Sequence, residues 1–189
     1  YVSAHDNQTL WDKLAETMPQ ADEKERMRLN RMAAALYMTC QGSLFLLSGE
    51  EFARTKDGIE DSYNAPIAIN RLDWKQAWEN RDLVEYYRGL IALRRQLPGL
   101  CDKSAGAADR ISRVQKEKGA VSFLIDNRLC FSECQNGVTG DAQNRDVNEK
   151  ESRWQTLKIV YNSSREERPV ALDGDGWKIL CDGQDSWLW

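Results

Sequence analysis

Between Gly42 and Gly49 runs Ser43-Leu-Phe-Leu-Leu-Ser48, an almost uninterrupted apolar stretch. At that length it predicts a strand rather than a helix, and continuous hydrophobicity is the pattern of a parallel strand covered on both faces. Such a strand needs hydrogen-bonded neighbours and helices packed over it. Helices are legible on both sides. From Asp22 to Gln41 the residues Met27, Leu29, Met32, Ala35, Leu36 and Cys40 recur mostly at three- and four-residue steps, with Pro19 and Asp22 near the start and Gly42 past the end. Leu83 to Leu97 forms a second helix, with Leu83, Tyr86, Tyr87, Leu90, Ile91, Leu93 and Leu97 on its inner side and Pro98-Gly99 stopping it. The opening Tyr1-Val-Ser-Ala reads as a short strand running into His5, Asp6 and Asn7. The first half therefore reads as two successive βα units, without visible partners to close a sheet.

Ala53 to Trp78 is polar and weakly periodic, and is expected to be a long ordered loop of the functional kind. Near residue 105 the rhythm changes. Short strand candidates follow at Ile111–Val114, Ala120–Asp126, Leu129–Phe131, Thr156–Asn162, Pro169–Leu172 and Trp177–Cys181, separated by turn material such as Asp173-Gly-Asp-Gly176. Gln135–Arg153 is polar and charged, and is expected to be a mobile loop between strands.

Composition excludes several classes. No apolar run approaches the 18 or so residues of a membrane span. The net charge of −4 lacks the basic footprint of a nucleic-acid binder. Five scattered cysteines without a C-x-x-C pair and a single histidine suggest neither a disulfide framework nor a zinc site. Free, mostly buried thiols are expected, with a Cys130–Cys134 bridge left open. The odd cysteine count leans towards a reducing, cytoplasmic compartment, although no region that could carry a targeting signal is in view.

His5-Asp6 stands at a strand end, where α/β barrels carry their catalytic groups. Such a pair could stabilise developing positive charge, hold sugar hydroxyls, or cap the following helix; the residues alone leave these open. Glu50-Glu51 ends the second strand in the same way. Two carboxylates there suit acid/base work, but the plainer expectation has one capping or pairing with Arg54 and the other solvated.

The run Tyr-Val-Ser-Ala-His-Asp-Asn-Gln-Thr-Leu-Trp-Asp12 closely resembles the fourth conserved region of the α-amylase superfamily, glycoside hydrolase family 13, in the version of type I pullulanases and related α-1,6-debranching enzymes. The resemblance continues through Gln41-Gly42, Gly49-Glu-Glu-Phe-Ala-Arg-Thr-Lys56, Ser62-Tyr-Asn-Ala-Pro66, Ile69-Asn70, Leu72-Asp-Trp74 and Tyr86-Tyr-Arg-Gly-Leu-Ile-Ala-Leu-Arg94. More loosely, Ile159-Val-Tyr-Asn162 and Trp177-Lys-Ile-Leu180 resemble the C-terminal β-sandwich of these enzymes.

The resemblance implies an α/β plus all-β architecture. Residues 1–105 would be the last two βα units of a (β/α)8 TIM barrel, strands seven and eight with their helices, and residues 106–189 an antiparallel β-sandwich. A complete barrel needs about 250 residues, so the missing N-terminal barrel segment is an expected partner, a separate chain being one form it could take. The implied activity is retaining hydrolysis of α-1,6 branch linkages in pullulan, starch or glycogen-type α-glucans. Asp6 would match the carboxylate that stabilises the transition state, His5 the histidine that hydrogen-bonds the same sugar, and Asn7, Tyr63, Asn64 and Trp74 would contact the glucan. The nucleophile and acid/base have no counterpart in the chain, which alone should be inactive. Ile67 stands where debranching enzymes usually carry Asp, removing one substrate carboxylate. No cofactor is implied; calcium is common in the superfamily, but no ligand cluster is evident. Nucleic-acid and membrane partners are not expected. The alternatives are a non-catalytic carbohydrate-binding or interaction fragment, and another hydrolase of the α-amylase superfamily. Of the other tryptophans, Trp177 is expected in a strand and in the core, while Trp187 and Trp189 are open.

Overall fold

The computed structural model describes residues 1–128 and 154–186. They hold six helices and one small antiparallel sheet. The chain divides into two compact units: the described parts of Tyr1–Met38, Leu44–Leu93 and Lys178–Trp189, and those of Thr39–Ser43 and Arg94–Trp177. Leu129–Phe131, Cys130, Cys134, Trp187, Trp189 and the whole of the Gln135–Arg153 loop lie outside the described residues.

The first unit opens with Tyr1–Ala4, which takes no regular structure, and a turn at His5–Asp6, followed by helix α1, Leu10–Thr17. This helix was not expected. Buried Thr9 caps it, its hydroxyl accepting the Asp12 N–H at 3.2 Å. Helix α2, Glu23–Met38, begins where Asp22 Oδ1 accepts the Glu25 N–H at 2.7 Å. The Ser43–Ser48 run forms no strand: it takes no regular structure through Leu47 and turns at Ser48. No strand among the described residues pairs with it or with Tyr1–Ala4, and a strand is made by its ladder rather than by its hydrophobicity. Phe45, expected inside, is 49% exposed and meets the Tyr1 ring edge-on at 5.6 Å.

A single 3-10 turn at Glu50–Phe52 leads into the long polar segment. That segment, expected to be a long loop, carries two short helices, α3 at Ile67–Asn70 and α4 at Trp74–Glu79. Helix α5, Arg81–Gln96, follows its apolar spacing except at Ile91, which was expected inside and is 37% exposed. Its Leu83, Tyr86, Tyr87, Leu90 and Leu93 are buried, as are Ala34, Tyr37, Met38 and Phe52 of the same unit. Residues 181–186 lie on α5: Tyr86 donates to the Asp182 carbonyl at 2.8 Å and Ser186 Oγ to the Tyr86 carbonyl at 2.7 Å. Gly89 makes this approach possible, because a Cβ there would stand 1.9 Å from Ser186 Oγ.

In the second unit the short helix α6, Pro98–Cys101, precedes the sheet β1–β2–β3, formed by Ile111–Glu117, Ala120–Asp126 and Thr156–Asn162. Both pairings are antiparallel; Glu117 faces Ala120 across a tight turn in which Gly119 takes φ +76°, and Ala120 faces Asn162. Ile125 and Leu157 pack inward with Leu97 and Leu100. Buried Asn127 accepts the Gly99 N–H at 2.8 Å and donates to the Trp154 carbonyl at 2.6 Å. Buried Arg110 pairs with buried Asp102.

The strands expected at Pro169–Leu172 and Trp177–Cys181 are absent. Gly174 and Gly176 turn the chain at φ +75° and +82°, and Trp177 Nε1 donates back to the Asp173 carbonyl at 2.9 Å. The loop thus satisfies its polar groups internally rather than in a ladder, and Trp177 is half-buried rather than core. The described thiols also depart from expectation: Cys40 is exposed, and Cys101 and Cys181 are half-buried. No helix among the described residues is long and apolar enough to cross a membrane.

Candidate active site

The His5–Asp6 turn is fixed through its backbone and free at its side chains. His5 Nδ1 meets Asp6 Oδ1 at 2.5 Å, the imidazole N–H donating to the carboxylate, and the two side chains are 75% and 79% exposed. Beneath them the chain is tied down on three sides. Lys13 Nζ donates to the Val2 carbonyl at 3.0 Å, buried Ser3 donates to Glu50 Oε1, and Lys56 Nζ donates to the His5 carbonyl at 2.9 Å. Asn7 turns its Oδ1 to the Gln8 N–H at 2.7 Å, closing a local turn ahead of the Thr9 cap.

Asp12 joins the start of α1 to the segment after the 3-10 turn. Its Oδ1 accepts from Thr55 Oγ1 at 2.5 Å and its Oδ2 from the Lys56 N–H at 2.8 Å. Lys56 is only 3% exposed. Burial pushes its pKa down, helped by the nearby Arg54 cation, while the carboxylates of Asp6, Asp12 and Asp61 oppose the shift.

Glu50 and Glu51 divide differently from the expectation. Glu50 is buried and accepts from Ser3, from Tyr37 at 3.0 Å and from the Leu47 N–H at 3.3 Å; burial raises its pKa against these hydrogen bonds. Glu51 accepts the Gly49 N–H at 2.9 Å. Arg54 spends its guanidinium on the carbonyls of Ser48, at 3.0 Å, and Asn70, so it braces backbone rather than pairing with a carboxylate.

The Asn70 side chain folds the Ser62–Asn70 segment back on itself, donating to the Ser62 carbonyl at 2.6 Å and accepting from Ser62 Oγ at 2.9 Å. This leaves Tyr63, Asn64 and Ile67 exposed. Trp74 opens α4 behind the cap of Asp73, which accepts from the Lys75 and Gln76 amides at 2.9 and 3.3 Å. The Trp74 ring is 69% exposed and tilts against Phe52 at 6.1 Å.

Of the residues singled out in the sequence, His5 and Asp6 are in direct contact and Asn7 continues their turn. Among the described residues no hydrogen bond joins Tyr63, Asn64 or Trp74 to His5 or Asp6; the Arg54–Lys56 segment links the two groups. Sequence reasoning missed Asp12 and Lys56. Thr9 placed three residues before an acidic Asp12 is a helix-start pattern that could have found the first. A lysine in a polar loop carries no signal of burial. Chemically, an exposed carboxylate with an imidazole beside it can accept hydroxyl hydrogen bonds and favour positive charge opposite it. Among the described residues no group of three or more His, Cys, Asp or Glu side chains could hold a metal ion.

No family model matches the chain. It is similar to a pullulanase of Bacillus subtilis strain 168, 41% identical over 183 residues, covering 96% of this chain and 23% of that protein. In structure it is similar to the pullulanase of Bacillus acidopullulyticus, with a TM-score of 0.80 and 28% identity over 98% of this chain and 21% of the other. A pullulanase of Anoxybacillus sp. complexed with maltotetraose matches with a TM-score of 0.74 and 28% identity, over 92% and 23%. The chain therefore spans less than a quarter of the length of these relatives. Likeness in sequence and in fold over nearly the whole chain defines its class, a segment of mixed helix and sheet similar to part of the pullulanases. Within that class the chain is a pullulanase-like segment, as its motifs implied.

Proposed function

We propose that the chain supplies one part of a retaining glycoside hydrolase that cleaves α-1,6-glucosidic branch linkages in pullulan, starch or glycogen-type α-glucans. The observation that carries this is the exposed His5–Asp6 pair on a backbone-anchored turn, in a chain 41% identical to a pullulanase. In this reading residues 1–105 are the last two βα units of a barrel and residues 106–189 a β-sandwich. The apolar Ser43–Ser48 segment, joined to no ladder among the described residues and with Phe45 exposed, supports a barrel strand whose neighbours come from the rest of the enzyme.

Hydrolysis proceeds through a ring carrying positive charge, flanked by a nucleophilic carboxylate and an acid/base carboxyl group. Those two groups come from the remaining barrel, and the 189-residue chain alone is inactive. Asp6 accepts hydrogen bonds from hydroxyls of the sugar at the cleavage point. These bonds strengthen as the ring gains charge, so they favour the transition state over the bound substrate. His5 orients the Asp6 carboxylate and meets the same sugar. Asn7, Tyr63, Asn64 and Trp74 hold the glucan, with Trp74 and Tyr63 offering exposed ring faces. Ile67, 84% exposed, offers no carboxylate to the sugar.

The same exposed rings also favour a second reading, glucan binding without turnover. Incubating the full-length protein with pullulan and, separately, with amylose decides between them. Release of reducing ends from pullulan is expected. Cleavage of amylose with pullulan untouched overturns the debranching assignment, and binding of both without cleavage supports the second reading.

A further inference from the structure

We infer that Lys56 is the positioning residue of the His5–Asp6 turn, fixing the backbone that presents the Asp6 carboxylate; its bearing on turnover rests on the function proposed above. Lysine is rarely buried, yet Lys56 is 3% exposed within a polar segment. Its ammonium donates to the His5 carbonyl at 2.9 Å, a charge-assisted bond to the residue that precedes Asp6. The lysine is itself held at its base. Its N–H donates to Asp12 Oδ2 at 2.8 Å, and the adjacent Thr55 hydroxyl donates to Asp12 Oδ1 at 2.5 Å.

Asp12 belongs to the first turn of α1, capped by Thr9. The turn between Ala4 and Thr9 is thus gripped at both ends, by Lys56 at His5 and by the helix cap at Thr9. The His5 and Asp6 side chains have no comparable hold, since among the described residues their hydrogen bond is to each other and both are exposed. Their direction is therefore set by the backbone, and the backbone at His5 is set by Lys56. Burial disfavours the ammonium, and the carboxylates of Asp6, Asp12 and Asp61 favour it. A neutral isostere would leave the His5 carbonyl without its donor and loosen the turn.

The test uses Lys56→Met and Lys56→Arg in the full-length protein carrying this segment, with Leu157→Ala in β3 as a destabilised control. Amide hydrogen exchange of residues 2–8 is read by mass spectrometry, beside kcat and KM on pullulan. Lys56→Met is expected to speed exchange of residues 2–8 about tenfold or more and leave α5 unchanged. It is expected to lower kcat by about 10- to 100-fold with KM within about threefold, because a misplacement of about 1 Å costs on that scale. Lys56→Arg, which keeps the cation, is expected to show smaller effects in both readouts. Leu157→Ala should leave exchange of residues 2–8 as it was. Unchanged exchange of residues 2–8 in Lys56→Met overturns the inference, as does equal acceleration in α5 or faster local exchange with kcat intact. If the unaltered protein does not cleave pullulan, the proposed function falls while the exchange measurement still decides the role of Lys56.

Discussion

The hydroxyl of Tyr37 donates to Glu50 Oε2 across 3.0 Å, joining α2 to the 3-10 turn below the candidate site. Tyr87 of α5 also reaches α2, donating to Asn30 Oδ1 at 2.9 Å. On the other side Ser3 donates to the same Glu50 carboxylate. Helix α2 thus carries two buried polar contacts, Asn30 to α5 and Tyr37 through Glu50 to the segment that holds His5 and Asp6. Burial holds the Tyr37 and Tyr87 hydroxyls well above their ordinary pKa, so both stay protonated and able to donate.

Truncating the acceptor strands two buried donors. Glu50→Ala is expected to destabilise by about 2–5 kcal/mol, the cost of leaving the Ser3 and Tyr37 hydroxyls unpaired. Glu50→Gln keeps an acceptor and removes the charge, so it should stay within about 1 kcal/mol at neutral pH. The two also differ in pH dependence. Burial raises the folded Glu50 carboxyl above 4.5, so the folded protein binds that proton more tightly than the unfolded chain. The contribution is full below pH 4.5 and is lost as pH rises through the folded pKa. Urea midpoints at several pH values should show the unaltered protein losing ground to Glu50→Gln on going from pH 4 to pH 7. A difference independent of pH would contradict the assignment.

The buried pair Asp102–Arg110 behaves in the opposite sense. Burial alone would raise the Asp102 carboxyl, but hydrogen bonds from Ser104 and the Arg110 guanidinium hold it below 3.8. Its contribution is present above that value and is lost as pH falls through the folded pKa. Asp102→Asn is expected to cost about 3–5 kcal/mol near neutrality by leaving a buried guanidinium without its counter-charge. It should also flatten the loss of stability in acid. Chemical denaturation at pH 7 and pH 3 checks both; a cost equal at the two values would show that the pair is not ionic.

What the sequence disclosed tracks how local each signal is. Helix α5 repeats Leu83, Tyr86, Tyr87, Leu90 and Leu93 on one face, and that face is buried. β2 and β3 fall on their expected spans because alternation and flanking turns are properties of the segment itself. Ser43–Ser48 joins no ladder among the described residues, because a ladder depends on partners that no local pattern reveals. Pro169–Leu172 and Trp177–Cys181 failed because two left-handed glycines and the Trp177–Asp173 bond close the loop on itself. At the site, the adjacent pair His5–Asp6 was visible because its two members are neighbours in sequence. Lys56 and Glu50 act across about 50 residues of chain, on His5 and Ser3. Nothing in the composition of their own segments marks them as buried.

The central claim is that Asp6 stabilises the transition state of an α-1,6-glucan hydrolase. Asp6→Asn in the full-length enzyme tests it most directly, with kcat on pullulan and the thermal midpoint measured together. Because the side chain is 79% exposed and bonded to His5, the midpoint should move by no more than about 1–2 °C, as for most surface changes. Loss of a carboxylate that acts only in the transition state should lower kcat by about a thousandfold or more. Turnover within about threefold of the unaltered enzyme, with the fold intact, would show that Asp6 does not carry that role.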